Sequence, residues 1–140
     1  MQAVIQYTHS IEAIFAEMLE GFFVNWPNPP SPWKHLEILK NSDFVVLALD
    51  RDRGRVIGLI NAISDKLLCA YIPLLEVLPK YQGRGIGSEL TRRMLAKLQE
   101  FYMVDVLCDP ALQGFYEAHG MTRTSVMMIR NYDRQSGTRQ

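Results

Sequence analysis

The sequence predicts one mixed α/β domain, a sheet with helices packed on both faces, and three observations carry that prediction. First, 140 residues make about one domain of ordinary size, long enough to bury about 68–70% of the unfolded surface without disulfides or metal. Second, the apolar patterns run β, α, α, three consecutive strands, α, β, α, β, an order that fits neither pure α/β alternation nor an all-β sandwich. Third, the hydrophobic period changes from strand-like runs to a helical stripe directly after glycines 83, 85 and 87. The reading places the domain over residues 1–130 and a polar, loosely held tail over 131–140.

Val4 to Tyr7 is a short β-prone run. After Ser10 as N-cap, Ile11, Ile14, Phe15, Met18, Leu19 and Phe22 recur at helical spacing and predict an amphipathic helix. Four of the seven prolines then fall between Trp26 and Trp33, where fixed φ and missing N–H groups demand a stiff loop. A shorter helix is expected from Trp33 to Lys40. Phe44–Leu49 and Arg55–Ile63 read as strands joined by a polar turn ending on Gly54, and a third strand is expected from Leu68 to Leu78. Ile86, Leu90, Met94, Leu95, Leu98 and Phe101 form the stripe of the next helix. Met103 to Cys108 reads as a short buried strand. Asp109 and Pro110 have the form of an N-cap and first helical position, and Gly120 suits the stop. Thr122 to Ile129 is expected to be a last strand.

Fifteen basic and fifteen acidic residues give a formal net charge of zero. A neutral chain argues against a nucleic-acid module or a polybasic membrane binder. The longest uncharged apolar stretch, Leu67 to Leu75, contains Pro73 and is far shorter than the roughly 20 residues that span a bilayer. Cys69 and Cys108 are distant, without CxxC or histidines at metal-ligand spacing, which suits a reducing cytoplasm and predicts no metal. The first basic residue is Lys34, so no secretory or transit signal is read at the amino terminus.

The chemistry concentrates at Gln82-Gly83-Arg84-Gly85-Ile86-Gly87-Ser88. A strand leads in and a helix leads out, so the first helical amides are free and the dipole is positive there. Alternate glycines remove the Cβ atoms that would keep a phosphate from those amides. Lys80, Arg84, Arg92 and Arg93 surround the turn, opposed only by Glu89. A dinucleotide fingerprint would need glycine where Ser88 stands, and a P-loop would need Gly-Lys-Ser/Thr.

The stretch from Leu75 through Gly87 resembles the acetyl-CoA signature Gln/Arg-x-x-Gly-x-Gly/Ala of the GNAT N-acyltransferases. Asp109 through Met121, with its Phe115-Tyr116 pair ending in Gly120 and an apolar residue, is similar to the second block of that family. The resemblance covers residues 1 to about 130. It implies a mostly antiparallel sheet splayed between its fourth and fifth strands, with pantetheine in the opening. It also implies acetyl-CoA bound by the amides of Leu75 and Val77 and by the turn from Gln82, Gly83, Arg84, Gly85, Ile86 and Gly87 to Ser88. Asp109 and Phe115 would lie beside the CoA arm, although Asp109 is equally explained by N-capping. Tyr116 would act as acid towards the departing thiolate, unless it is a core aromatic. Neighbouring runs resemble small glucosamine-phosphate acetyltransferases, but Pro73 and Leu74 stand where those carry acidic residues.

The amine acceptor needs a base. Glu76 is the candidate by type, although strand alternation sets it on the face opposite Leu75 and Val77 unless a bulge intervenes. His35, His119 and Tyr71 are further options. Trp26, Trp33, Phe22 and Phe23 either wall an amine site or anchor the loop. The acceptor expected is a small primary amine, with a protein N-terminus or lysine second. A non-catalytic acyl-CoA-binding module is the rival reading. The apolar run Val126 to Ile129 could support a homodimer by exchange or edge pairing.

Overall fold

The computed structural model describes residues 4–138. Its strands are β1 (Ile5–Thr8), β2 (Phe44–Asp50), β3 (Arg55–Ser64), β4 (Cys69–Ile72), β5 (Leu75–Val77) and β6 (Met103–Val106), and its α-helices are α1 (Pro32–Lys40), α2 (Ile86–Lys97) and α3 (Gln113–Glu117). The sheet runs β1-β2-β3-β4-β6, with β5 also paired to β3. All pairings are antiparallel except β4 with β6. The mixed fold expected from the sequence is the fold observed.

β2 and β3 form the middle of the sheet, and Val46, Leu47, Ala48, Val56, Ile57 and Ile60 are fully buried. Such strands are apolar on both faces because both faces are covered. α2 packs against β2, β3 and β5 with Ile86, Leu90 and Met94. Gly58 is needed here, because a Cβ on it would stand 3.1 Å from Leu90 and 3.3 Å from Ile86. The other face is closed by the segment around Ala16–Leu19 together with α1. α1 starts where Ser31 caps the amide of Lys34 at 3.1 Å and Pro32 occupies the first turn.

Three expectations are corrected. The amphipathic helix from Ile11 to Phe22 does not form; only a 3₁₀ turn at Ala16–Leu19 does. Ser10 caps the amide of Glu12, but Phe15 is extended and exposed, and left-handed φ at Gly21, Phe23 and Asn25 turns the chain sharply. Ile14, Ala16, Leu19 and Phe22 are nevertheless buried, so the spacing recorded burial without helix. The strand from Leu68 to Leu78 is split into β4 and β5 at Pro73, which has no N–H for a ladder. The stretch Thr122 to Ile129 is not a strand, and no backbone hydrogen bond forms from its amides among the described residues.

The split has a specific cause. Asn61, buried in β3, accepts from the Leu74 amide through Oδ1 at 3.0 Å, while its own amide donates to the Leu74 carbonyl at 3.2 Å. Its Nδ2 donates to Ser42 Oγ at 2.9 Å. The register moves by one residue across this point, from Ile63 opposite Tyr71 to Ile60 opposite Leu75, as in a β-bulge. β4 then stays with β6 while β5 follows β3 alone. A V opens beyond Ile72 and Val106.

The end of the chain is tied back. The Met121 amide donates to the Tyr116 carbonyl past Gly120 at φ 92°, and the Asn28 amide donates to Gln135 Oε1 at 2.9 Å. No helix of the described residues is long and apolar enough to cross a membrane.

Candidate active site

The V and the glycine turn are one structure. The Leu78 amide donates to the Ile57 carbonyl, and the Leu74 carbonyl accepts from Asn61. Alternation therefore points the N–H and C=O groups of Leu75 and Val77 away from β3 and into the opening. Gln82 Nε2 donates to the Val77 carbonyl at 3.0 Å, tying the start of the turn to that wall. Gly83 and Gly85 have φ of 78° and 79°, and a Cβ on either would meet nothing within 4 Å. Gly85 is a left-handed N-cap without a side-chain partner, so the amides of Ile86, Gly87 and Ser88 are left for a ligand. Gly87 rests on Val77, its Cβ position 3.7 Å from Cγ2.

The basic residues divide. Glu89 takes Arg92 at 2.5 Å and Arg93 at 3.0 Å, and these bonds, Arg92 first, pull its carboxyl down to about 2. One carboxylate offsets only one of these two guanidiniums, so the patch stays positive, and Lys80 and Arg84 have no carboxylate partner among the described residues. Arg84 lies over the Tyr81 ring at 5.2 Å and donates to the Lys80 carbonyl.

α3 docks on the same turn. His119 Nε2 and Ser88 Oγ are 3.1 Å apart, and Phe115 packs edge-on to Tyr116 and tilted on His119, each at 5.0 Å between ring centroids. Tyr116 is buried, and burial, followed by the neighbouring Cys108, pushes its phenol up to about 12. Tyr116 is therefore protonated throughout the neutral range. Asp109 precedes a 3₁₀ turn at Pro110–Leu112, but its side chain makes no capping bond; it is exposed at the end of the loop after β6.

Glu76 faces the other way, as alternation requires. Its Oε1 accepts from the Phe23 amide at 2.9 Å and its Oε2 from the Val24 amide at 3.3 Å. It clamps the turn leading to the proline loop. Phe22 and Phe23 are buried around His35, with ring centroids 5.5 and 4.6 Å away. His35 is 1% exposed and neither ring nitrogen has a partner; desolvation lowers it to about 4. Trp26 stacks on Phe23 at 4.8 Å, whereas Trp33 is 69% exposed. One indole anchors the loop and the other faces solvent. Tyr71 is exposed on β4, opposite Asp105 of β6.

The sequence reading missed Asn61, which makes the V. Its signal was a lone amide in the apolar run Val56–Ile63 facing a proline-broken partner strand. A cavity of about 890 Å³ is not the V: it lies beyond β6, between Val104–Cys108 and residues 121–128, with Tyr116 on its border.

Comparison with known proteins agrees with this geometry. A crystal structure of a candidate acetyltransferase from Deinococcus radiodurans superposes with a TM-score of 0.93 at 45% identity, covering 97% of this chain and 94% of that one. Residues 121–138 are about an eighth of the chain, so that score requires most of them to superpose as well. Two curated relatives match over shorter spans. The uncharacterized N-acetyltransferase ycf52-like of Prochlorococcus marinus is 33% identical over 49% of this chain and 39% of its own length. The N-alpha-acetyltransferase 30 of Schizosaccharomyces pombe is 32% identical over 58% of this chain and 59% of its own. The match thus spans about half the length of these curated relatives. The sequence profile of the acetyltransferase (GNAT) family matches residues 11–121, most of the chain and both arms of the V: the protein belongs to the GNAT family of acetyltransferases.

Proposed function

We propose that the protein transfers an acetyl group from acetyl-CoA to a primary amine of a small molecule, by direct attack with both substrates bound. One observation carries the reading: the amides of Leu75 and Val77, which β3 leaves unpaired, face an opening that ends on the free amides of Ile86 to Ser88. Acetyl-CoA supplies the activated thioester. The Leu75 and Val77 amides pair with its pantetheine, and one of them faces the carbonyl oxygen as charge develops there. The turn amides hold the pyrophosphate.

Tyr116 donates a hydrogen bond to the departing sulfur. Its phenol near 12 is a weaker acid than a thiol, ordinarily about 8.5, so it stabilises the sulfur's charge chiefly by sharing its proton. Glu76 accepts the amine's proton. Each of its oxygens takes one amide bond, and a carboxylate retains further lone pairs. It stands on the face where the Phe22–Trp33 loop adjoins β5, which is the face left to the acceptor.

A protein N-terminus is the second acceptor class, favoured by the name of the Schizosaccharomyces pombe relative. The test is CoA release from acetyl-CoA with a panel of small primary amines and of peptides with free N-termini. Turnover with small amines supports the proposal, turnover with peptides alone transfers it to the second class, and none with either leaves a CoA-binding module. In Glu76→Gln, loss of the acid limb of the kcat profile supports the base; an unchanged profile with a raised amine KM assigns Glu76 to loop positioning only.

A further inference from the structure

The face of the sheet that carries Glu76 is covered over one half and bare over the other. Across β3 it is closed by the Ala16–Leu19 segment, and Glu76 of β5 reaches over to the amides of Phe23 and Val24. Leu59, Asn61 and Ile63 alternate onto this face along β3. Leu59 stands opposite Glu76 and Ile63 opposite Tyr71, which in turn stands opposite Asp105. Directly opposed residues share a face of the sheet, so Ile63, Tyr71 and Asp105 continue the face of Glu76. Here the face is open: Ile63 is 45% and Tyr71 40% exposed, and Asp105 is exposed beside them.

The Tyr71–Asp105 pair is one register position short of Ile72 and Val106, where the V opens, and it lines the same cavity as Tyr116. Asp105 has no ion-pair or hydrogen-bond partner among the described residues, and the two arginines of the cavity wall are engaged elsewhere, Arg123 with Glu117 at 2.7 Å and Arg130 with the Ile129 carbonyl. An aromatic ring beside an unpaired carboxylate takes an alkylammonium: the ring attracts it through its quadrupole and the carboxylate through its charge. Along β3 the rows of Glu76 and Tyr71 are four residues apart, about 14 Å at about 3.4 Å per residue. One amino group therefore cannot meet both carboxylates.

We propose that the Tyr71 ring and the Asp105 carboxylate hold a second ammonium group of the acceptor, and that the acceptor is an aliphatic diamine. Given the acetyl transfer proposed above, one end of the diamine gives its proton to Glu76 and attacks the thioester. The carbon–sulfur bond breaks as the carbon–nitrogen bond forms, and CoA leaves with the sulfur's electron pair. The other end stays protonated between ring and carboxylate. A monoamine makes the first set of contacts without the second, so the pair acts on acceptor choice and not on the chemical step.

The experiment measures CoA release from acetyl-CoA with unbranched diamines of about three to eight carbons, each against the monoamine of the same carbon number. At the best length the diamine is expected to exceed its monoamine about tenfold in kcat/KM, chiefly through KM, the product of one exposed ion pair and one cation–π contact. Two equivalent ends alone would give about twofold. The ratio is expected to fall with added salt, because the pair is exposed. Asp105→Asn should bring it down to that twofold level, Tyr71→Leu should lower it, and Tyr71→Phe, which keeps the ring, should retain it. Diamines no better than twofold over monoamines at every length overturn the proposal and leave the acetyl transfer standing. A ratio that survives Asp105→Asn equally overturns it, because the second ammonium is then held elsewhere. No turnover with any of these amines removes a small-amine acceptor altogether, and this proposal with it.

Discussion

The glycine turn and the segment from Gly21 to Lys40 flank β5 from opposite faces and are built on opposite plans. The turn offers backbone: Gly83 and Gly85 in the left-handed region, open space at both Cβ positions, and amides with no side-chain cap. The opposite segment offers side chains: Phe22 and Phe23 about His35, Trp26 on Phe23, and the whole turn hung on the Glu76 carboxylate. A backbone site recognises what many sequences can present, a phosphate or an extended amide chain. A side-chain site recognises what one sequence presents. On the proposed function, the contrast explains why family membership points to the donor and leaves the acceptor open.

Substitutions can break this contrast at graded strength. The largest effect is expected from Tyr116→Phe, which removes the one side-chain donor assigned to the leaving sulfur. It should lower kcat by about 10²–10³-fold, the range for losing a donor to a developing anion, with acetyl-CoA affinity held. Steady-state kinetics at saturating substrates checks it, and the wild-type profile should show no alkaline loss from this phenol until the pH approaches its value near 12.

Gly85→Val comes next. The space at this position is empty, but φ of 79° disfavours an L residue by about 1–2 kcal/mol. Acetyl-CoA affinity should fall by roughly tenfold if relaxation of the turn closes the amide cradle, with kcat changed less. Calorimetric titration measures it. An unchanged affinity would show that the turn's conformation is not what binds.

Asn61→Ala tests the hinge between the two plans. It leaves the half-buried Leu74 amide without its side-chain acceptor and should cost about 1 kcal/mol, read as a lower Tm with reduced acetyl-CoA binding, because the bulge that sets β5 apart from β4 loses its side-chain tie.

The smallest effect belongs to the side-chain wall. His35 is at about 4 when folded against 6.5 for the free side chain, so the unfolded chain binds more protons between those values. Stability is complete above about 6.5 and declines as the pH falls towards 4, by about 1 kcal/mol at pH 6. Thermal melts from pH 7.5 to 6 should show the decline, and His35→Phe should flatten it.

The same division explains what could be read from the sequence. Gly83 and Gly85 announce a backbone conformation that few other residues adopt, so the turn and the start of α2 were legible in the sequence. Ile11 to Phe22 has helical spacing, yet spacing reports which residues are buried, and here extended Phe15 and left-handed Gly21 and Phe23 bury them without a helix. Pro73 alone could not place the break in the third strand, because the bulge depends on Asn61 from the facing strand. Thr122–Ile129 has the composition of a strand, but a strand also needs a partner at its side, and none pairs with it among the described residues. Glu76 was legible as an unusual acid in an apolar strand, while its bonds to Phe23 and Val24 depend on a turn that no local pattern specifies.

The most direct measurement is thermal unfolding with acetyl-CoA, with CoA and with NAD as control. A ligand at 100 times its Kd stabilises the fold by about 2.7 kcal/mol, which for a chain of this length raises Tm by on the order of 8 °C. The account predicts such a rise with acetyl-CoA and with CoA and none with NAD. An unchanged Tm with both CoA ligands would contradict it: the turn amides and the Leu75–Val77 wall would then not form a donor site, and the family's chemistry would not operate in this chain.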